Sequence, residues 1–350
     1  MGNTLKGWSD YNPILVSVIC TCYNHGKYVK NSLDSLVQQS HENTEIVIID
    51  NGSKDNSPDM IRQWMEANWF KRKCKTIFHS ETINYCKSFN QGLSLVRGKY
   101  TIDLSADDVL LSNHLATAVE TLEASDAAVY FSNAYLEGGK HQPGDTFYPI
   151  DNKGNLKAEV VSGDIYLQVI QKNHLCAPTL VFKTELLKLE GGYDEALSYE
   201  DFDIIVRMAR KYPFVFHENI GVKKRLLNSS FSSAQYRARE SVMLPSTLKV
   251  CRKIREMNKS REENRALQIR LMHETKHALA SANFAVAVGF LHLANETGLT
   301  GLRYRLFWLW AWSRLDFSLF YRLFSRGSVY FSRFKGRRRL KKSKLVHKFG

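Results

Sequence analysis

The sequence predicts an α/β fold, in which helices cover both faces of a mostly parallel sheet and a C-terminal helical region follows. Up to about Asn133, short apolar runs alternate with segments of helical periodicity. The apolar runs are continuous rather than interrupted by polar residues, which is typical of parallel strands buried on both faces. From about Val242 onward the periodicity is helical.

Strands and helices are predicted in the alternation of βαβ units. The predicted strands are 14–23, 45–50, 76–79, 100–104 and 127–133, and the helices between them are 25–39, 58–70, 84–96 and 111–123. Residues 137–160 are expected to form a long loop, a kind of segment that often carries function. Further helices are expected over 163–171 and 199–210.

Composition and charge exclude several classes of protein. With 350 residues, 44% of them hydrophobic and 24% charged, the chain is not intrinsically disordered. Residues 303–350 hold 14 of the 49 Lys and Arg residues but one of the 35 acids, so the rest is close to neutral. This distribution argues against a nucleic-acid binder. The six cysteines lack metal-ligand spacing, and the N-terminus lacks a secretory signal, so we expect a cytoplasmic protein.

Three parts are expected along the chain: a sheet domain over 1–240, a helical subdomain over 241–302 and a tail over 303–350. The tail combines a broad aromatic and apolar helical face with arginines, and a polybasic segment follows it. This combination is typical of a helix lying on an anionic membrane surface. A packed core helix with a solvated extension and a nucleic-acid-binding tail are the alternatives.

Acidic residues cluster at or near the predicted strand ends, in Asp50, in the pair Asp107 and Asp108, and in the pair Glu200 and Asp201. Ligands of parallel α/β sheets bind at the carboxyl edge of the strands. Two adjacent carboxylates repel each other, and a hard divalent cation between them and a phosphate-bearing ligand relieves that repulsion. Each cluster alone is also explained by a turn or a helix cap. Their order and spacing together favour a site.

Five segments of the sequence, in this order, resemble family 2 of the inverting glycosyltransferases, which have the GT-A nucleotide-sugar fold. They lie between about residues 14 and 230 and read VSVICTCYNHGKYVKNSLDSLVQQS, EIVIIDNGSKDNS, NYCKSFNQGLSLVRGKY, LSADDVLL and GGYDEALSYEDFDIIVRMA. Each motif is weak by itself, and the five in order are specific.

The resemblance implies a nucleotide pocket at the strand ends. Thr21 and Tyr23 match positions that line this pocket in the family. Asp50 matches the acid that hydrogen-bonds the nucleotide base, usually uracil. Asn84 and Asn90 match a segment near the diphosphate.

The resemblance also implies a metal site and a base. Asp108 matches a ligand of a divalent metal, Mn²⁺ or Mg²⁺, and Asp107 matches a contact to the ribose or the metal. Asp201 of the pair with Glu200 matches the general base that deprotonates the acceptor hydroxyl. The chain departs from the family pattern at Ser105, where a further Asp is common, and at Leu227, where many members have a His.

The function implied by the resemblance is metal-dependent, inverting transfer of a sugar from a nucleotide-diphosphate donor, such as a UDP-sugar, to a glycan hydroxyl. Together with the tail, this suggests a lipid-linked acceptor in cell-surface polysaccharide biosynthesis, at the cytoplasmic face of the membrane. Two alternatives from other classes stay open at this point. One is a nucleotidyltransferase of related fold, and the other is a non-catalytic module that binds nucleotide sugars or membranes.

Overall fold

The computed structural model describes residues 14–68, 73–199, 201–227 and 235–321. The chain divides into two compact units, Met1–Ser230 and Phe231–Gly350. The first unit is an α/β domain and the second is helical.

The first unit is built on an eight-stranded sheet with the strand order β3-β2-β1-β4-β7-β6-β8-β5. Strands β1 to β4 form a continuous parallel half, whereas β7 runs antiparallel to β4 and β6. Strands β6 and β8 are parallel to each other. The strand bounds are β1 Val16–Cys22, β2 Thr44–Asp50, β3 Lys73–Phe78, β4 Tyr100–Ser105, β5 Val109–Leu110, β6 Val129–Glu137, β7 Val181–Lys183 and β8 Phe214–Arg225. The predicted fold class is confirmed.

Helices connect the strands of the first unit and cover the sheet. Their bounds are α1 Val29–Val37, α2 Ser57–Asn68, α3 Tyr85–Leu95, α4 His114–Glu123, α5 Tyr166–Gln171, α6 Thr184–Leu189 and α7 Asp201–Lys211. Helix α3 lies close against β1 and β2 because it carries Gly92, where a Cβ atom would lie 2.8 Å from Ile19 and 2.9 Å from Ile49. The close packing at Gly92 therefore fixes the position of α3 relative to β1 and β2.

The central strands owe their burial to their apolar sequence. Every residue of β1 and of β2 is buried, and the two strands pair in register from Val16 opposite Thr44 to Cys22 opposite Asp50. Burying long β-branched runs on both faces is the main stabilising contribution of a parallel sheet. The edge strand β3 is mostly exposed.

The structure corrects several element boundaries. The helix predicted from His25 begins at Val29, because residues 25–28 form a turn whose backbone amides at Tyr28 and Val29 donate to the His25 carbonyl. The helix predicted from Leu111 begins at His114. Three strands were not predicted: β5 and β7 are too short to show a period, and β8 has a mixed sequence.

The second unit contains four helices within its described residues: α8 Met243–Met257, α9 Arg261–Ala280, α10 Phe284–Glu296 and α11 Leu302–Ser313. Ser260 caps α9 in a capping box with Glu263. The run 277–295, which contains no Lys, Arg, Asp or Glu, is divided between α9 and α10, and Ala282 between them has a φ of 58°. The tail helix ends at Ser313, followed by Arg314 in the left-handed conformation.

The rest of the predicted tail, from residue 322 onward, lies outside the described residues. Within the described ranges, no helix combines the length and the apolar character that crossing a bilayer requires.

Candidate functional site

The carboxyl ends of three adjacent strands bring distant parts of the sequence together. Thr21, near the end of β1, lies opposite Ile49 of β2 and Ser105 of β4 in the parallel register. Asp50 ends β2, and the turn containing Asp107 follows β4. The nucleotide-pocket and metal positions suggested by the sequence therefore share one edge of the sheet.

Two buried oxygen atoms at this edge lack hydrogen-bond partners within the described residues. Asp50 is 2% exposed, and its Oδ2 accepts a hydrogen bond from the amide of Ser53 at 3.0 Å. Its Oδ1 has no partner, and neither has the hydroxyl of Thr21. A buried polar atom left unpaired costs free energy, so both atoms are suited to a ligand that brings donors or acceptors. Tyr23, just beyond the end of β1, is 44% exposed.

The carboxylates of Asp107 and Asp108 are both buried. The backbone amide of Arg225 donates to Asp108 Oδ1 at 2.8 Å, and Ser105 Oγ donates to Asp107 Oδ1 at 2.5 Å. His25 Nδ1 lies 3.8 Å from the same Asp107 oxygen. Burial, followed by the charge of Asp107, raises the pKa of Asp108 to about 7. A cation that joined the pair would favour the ionised form of both groups.

Asp201 reaches the same cluster through a shared cationic neighbour, Lys224. Burial alone would lower the pKa of the Lys224 ammonium, yet the pKa is raised by Cys176, Asp108, Asp201 and Asp107. Burial also raises the pKa of the Cys176 thiol to about 12, so this thiol is uncharged at neutral pH. The three carboxylates are therefore the charges that act on Lys224 near neutral pH.

Asp201 is the first residue of α7 and is half-buried. Its Oδ1 accepts a hydrogen bond from the amide of Phe202 at 2.7 Å. This local bond fixes one carboxylate oxygen at the start of the helix. Glu200, the other acid of the predicted pair, lies outside the described residues.

The residues at this edge fit a divalent cation as a partial ligand set. Carboxylate oxygens are the ligands that Mg²⁺ and Mn²⁺ prefer, and Asp107 and Asp108 offer them side by side. Within the described ranges, no three His, Cys, Asp or Glu side chains come together as a metal-binding group. A cation held here would take its remaining ligands from water and from phosphate oxygens of a substrate.

Asn84 and Asn90 tie the chain segment before Asp201 to α3. Asn84 caps this helix, and its amide group donates to the carbonyl of Leu197 at 2.7 Å. The Asn90 side chain donates to the carbonyl of Tyr193 at 2.8 Å and accepts from the amide of the same residue at 2.9 Å. Both side chains hold protein backbone, and a contact of either with the diphosphate stays a prediction.

Asp103 does not join the carboxylate pair through hydrogen bonds. Its two oxygens accept hydrogen bonds from the phenols of Tyr85, at 2.9 and 3.0 Å, and Tyr193, at 2.8 Å. Burial raises the pKa of Asp103 to about 6. The acid two residues before Ser105 therefore holds α3 and the segment around Tyr193 in place.

The first unit also contains a cavity of about 460 Å³. Its lining includes Phe131 of β6, Tyr148 of the loop after β6, and His174. The Tyr148 phenol donates to the His174 carbonyl at 2.6 Å, and burial, then the nearby Cys176, raise the pKa of Tyr148.

Sequence reasoning missed His25 and Lys224 as members of the site. His25 follows the end of β1 by three residues, so its position just beyond a strand at the carboxyl edge could have marked it. Lys224 belongs to β8, which was not predicted, and its position became visible only with the register of that strand. His217, ten residues before Leu227, is hydrogen-bonded to Asn219 two residues away.

The sequence of residues 17–159 matches the model of Glycosyl transferase family 2. Over these residues the chain is similar to this family. It is 25% identical over 222 residues to an uncharacterized glycosyltransferase of Rickettsia typhi, in a match that covers 62% of this chain and 65% of that protein. It is 37% identical over 177 residues to an uncharacterized glycosyltransferase of Nostoc sp., covering 49% and 52% of the two chains. The chain thus spans slightly under two thirds of the length of the first of these family relatives.

Solved structures of low sequence identity share the fold of this chain. S. aureus TarS 1–349 in complex with UDP-GlcNAc superposes with a TM-score of 0.67 at 16% identity, covering 90% of this chain and 92% of TarS. A mannosyltransferase from Pyrobaculum calidifontis in complex with GDP-Man and Mn²⁺ gives a TM-score of 0.52 at 16% identity, covering 83% and 77%. These matches establish the GT-A fold.

Proposed function

We propose that this protein transfers a sugar from a nucleotide-diphosphate donor, a UDP-sugar, to a hydroxyl group of a glycan acceptor with inversion at the anomeric carbon. The observation that carries the proposal is the grouping of Asp107, Asp108 and Asp201 around one lysine at the carboxyl edge of a parallel sheet. Similarity to Glycosyl transferase family 2 and the nucleotide sugars bound by proteins of the same fold support it.

The donor would lie along the strand ends. Asp50 Oδ1, buried and without a partner within the described ranges, is suited to accept a hydrogen bond from the N–H group of a nucleobase. The hydroxyl of Thr21 is likewise buried and without a hydrogen-bond partner within the described ranges, so it is also suited to contact the donor. Asp107 and Asp108 would hold a divalent cation, which would supply charge neutralisation for the leaving diphosphate.

The chemistry is a single displacement. The acceptor hydroxyl oxygen forms a bond to the anomeric carbon while the bond from that carbon to the diphosphate oxygen breaks. The Asp201 carboxylate takes the proton of the hydroxyl, and the nucleoside diphosphate leaves with the electron pair. One base suffices because no glycosyl-enzyme intermediate forms, in contrast to retaining hydrolases.

We also propose that the second unit docks on an anionic membrane, where a lipid-linked acceptor of polysaccharide biosynthesis would be found. Helix α11 exposes large apolar side chains along one face, at Leu302, Leu306, Leu309 and Trp312. Basic residues dominate the sequence from residue 303 onward. An apolar face flanked by bases is the pattern of helices that lie in the headgroup region.

Substituting the proposed base tests the enzymatic function. Asp201→Asn keeps the size of the side chain and removes the proton acceptor, so we expect hydrolysis of the productive UDP-sugar in the presence of Mn²⁺ to fall by at least about 100-fold. Binding of UDP, measured by calorimetry, should stay within about threefold, because Asp201 acts on the acceptor.

The control is Asp203→Asn, two residues away on α7, whose carboxylate pairs with Arg207 at 2.8 Å. It should lower the stability of α7 and retain the reaction in the folded fraction. Turnover by Asp201→Asn equal to that of the wild type would refute the assignment of the base. Persistent UDP binding with no turnover in the wild type, across a panel of nucleotide sugars, would instead indicate a binding module.

A further inference from the structure

The end of β8 is fastened to the carboxylate pair. The amide of Arg225 donates to Asp108 Oδ1, and its guanidinium donates to the carbonyl of Asp107 at 2.6 Å. Two residues before it, Lys223 lies opposite Val109 of β5 in the antiparallel register. The last three residues of the strand are therefore held beside the turn that bears the two acids.

Alternation along β8 separates its three terminal bases. Lys223 and Arg225 both lie near the same carboxylate, that of Glu137, at 3.9 and 3.8 Å. Lys224, between them, points to the opposite face of the strand, where it interacts with Asp107, Asp108 and Asp201. Lys224 is thus the base of the three whose charge acts on all three carboxylates. Lys223 lies near Glu137, and the Arg225 guanidinium lies near Glu137 and donates to the backbone carbonyl of Asp107.

The ammonium of Lys224 has no hydrogen bond and no ion pair within 4 Å among the described residues. An ammonium carries three donors, and those of the half-buried Lys224 side chain are available to water or to a ligand. The surrounding carboxylates attract it from a longer distance without satisfying its donors. Oxygens of a diphosphate, delivered to the same edge of the sheet, would supply both the charge and the acceptors.

We propose that Lys224 is a built-in cation of the donor site: its ammonium binds the diphosphate of the donor and competes by charge repulsion with a divalent cation for Asp107 and Asp108. This assignment rests on the proposed function for the identity of the ligand. It gives the protein a cation at the diphosphate even when no metal is bound. As a consequence, Lys224 should strengthen the binding of the nucleotide and weaken the binding of the metal.

The two effects have opposite signs, which makes the proposal testable by binding alone. In Lys224→Met, removal of the positive charge should weaken UDP binding in the presence of EDTA by about tenfold or more. The same change should tighten Mn²⁺ binding to the nucleotide-free protein by about tenfold, because a cation beside the metal ligands is lost. Both are measured by calorimetry on the full chain. A misfolded variant would lose both affinities, and it could not gain one.

Lys223→Met is the matched control, because it removes the same charge from the adjacent residue on the opposite face of the strand. It should change each affinity by no more than about twofold. Lys224→Arg retains the charge and should restore most of the metal-free UDP binding. Equal affinities of Lys224→Met and Lys223→Met for both ligands, or weaker Mn²⁺ binding by Lys224→Met, would overturn the proposal.

The Mn²⁺ measurement separates this proposal from the proposed function. If the wild type binds Mn²⁺ but no uridine nucleotide, the proposal that the donor is a UDP-sugar fails. The change in Mn²⁺ affinity in Lys224→Met still shows whether Lys224 repels the metal. If the wild type binds neither ligand, both proposals are refuted.

Discussion

Buried polar atoms without partners have two different meanings in this protein. Asp50 Oδ1 and the Thr21 hydroxyl lie at the edge of the sheet where a ligand can reach them, so binding can repay the cost of burying them. His114 is fully buried at the start of α4, and neither ring nitrogen has a partner within the described residues. A Cβ atom at Gly221 of β8 would lie 2.0 Å from its Nδ1, so the ring is tightly enclosed.

The enclosed histidine should make the stability of the first unit depend on pH. Burial lowers the pKa of His114 to about 4, below the value of about 6.5 expected in the unfolded chain. Between these values the unfolded chain takes up a proton that the folded chain does not, so the free energy of unfolding falls as the pH falls. The contribution of His114 between pH 7 and pH 5 is about 2 kcal/mol.

This contribution is measured by urea unfolding at pH 7 and at pH 5. His114→Leu should show a smaller loss of stability on acidification than the wild type, whatever its stability at pH 7. His292→Leu removes an exposed histidine and should retain the wild-type difference. An unchanged pH dependence in His114→Leu would contradict this account of the buried ring.

At the scale of the elements, the parallel half of the sheet could be predicted from sequence because burial on both faces leaves an unbroken apolar run. Strand β8 could not, because the register between β6 and β8 shifts on both sides of Asn133, and the strand has no regular alternation. The acids at the ends of β2 and β4 were therefore found from sequence. Lys224, the positively charged residue that lies among them, could be located only once the pairing of β6 with β8 was known, because these two strands are distant in sequence.

The position of Asp201 near the other acids also depends on contacts between distant parts of the chain, which local sequence patterns do not show. Asn84 and Asn90 bind the backbone at Leu197 and Tyr193, so α3 positions the segment that precedes Asp201. The prediction that Asp201 is the base came from the family resemblance. The contacts that hold it near Asp108 come from side chains more than 100 positions earlier in the sequence, beyond the range of any periodicity.

For the whole molecule, the exposed face of α11 predicts binding to anionic lipid. The double variant Leu306→Gln and Trp312→Gln removes two large side chains from this face, of which Trp312 is 81% exposed. We expect it to lower the partition coefficient on phosphatidylserine vesicles at least about tenfold, because each lost insertion costs about 1.5 kcal/mol or more. The measurement is co-sedimentation of the full chain with vesicles.

Leu189→Gln is the control for this experiment, because Leu189 is an equally apolar residue of the first unit that is 72% exposed. Its binding to vesicles should equal that of the wild type. Raising the salt concentration should weaken binding if the bases contribute. Equal sedimentation of the double variant and the wild type would remove α11 from the membrane-binding surface.

The central claim is that one edge of the sheet binds a uridine nucleotide through Asp50 on one side and a cation at Asp108 on the other. Calorimetric titration of UDP in the presence of Mn²⁺ tests it most directly. Asp50→Ala should weaken UDP binding by about tenfold with or without Mn²⁺, whereas Asp108→Asn should abolish the part of the affinity that Mn²⁺ adds. UDP binding that is unchanged in both variants would contradict the account.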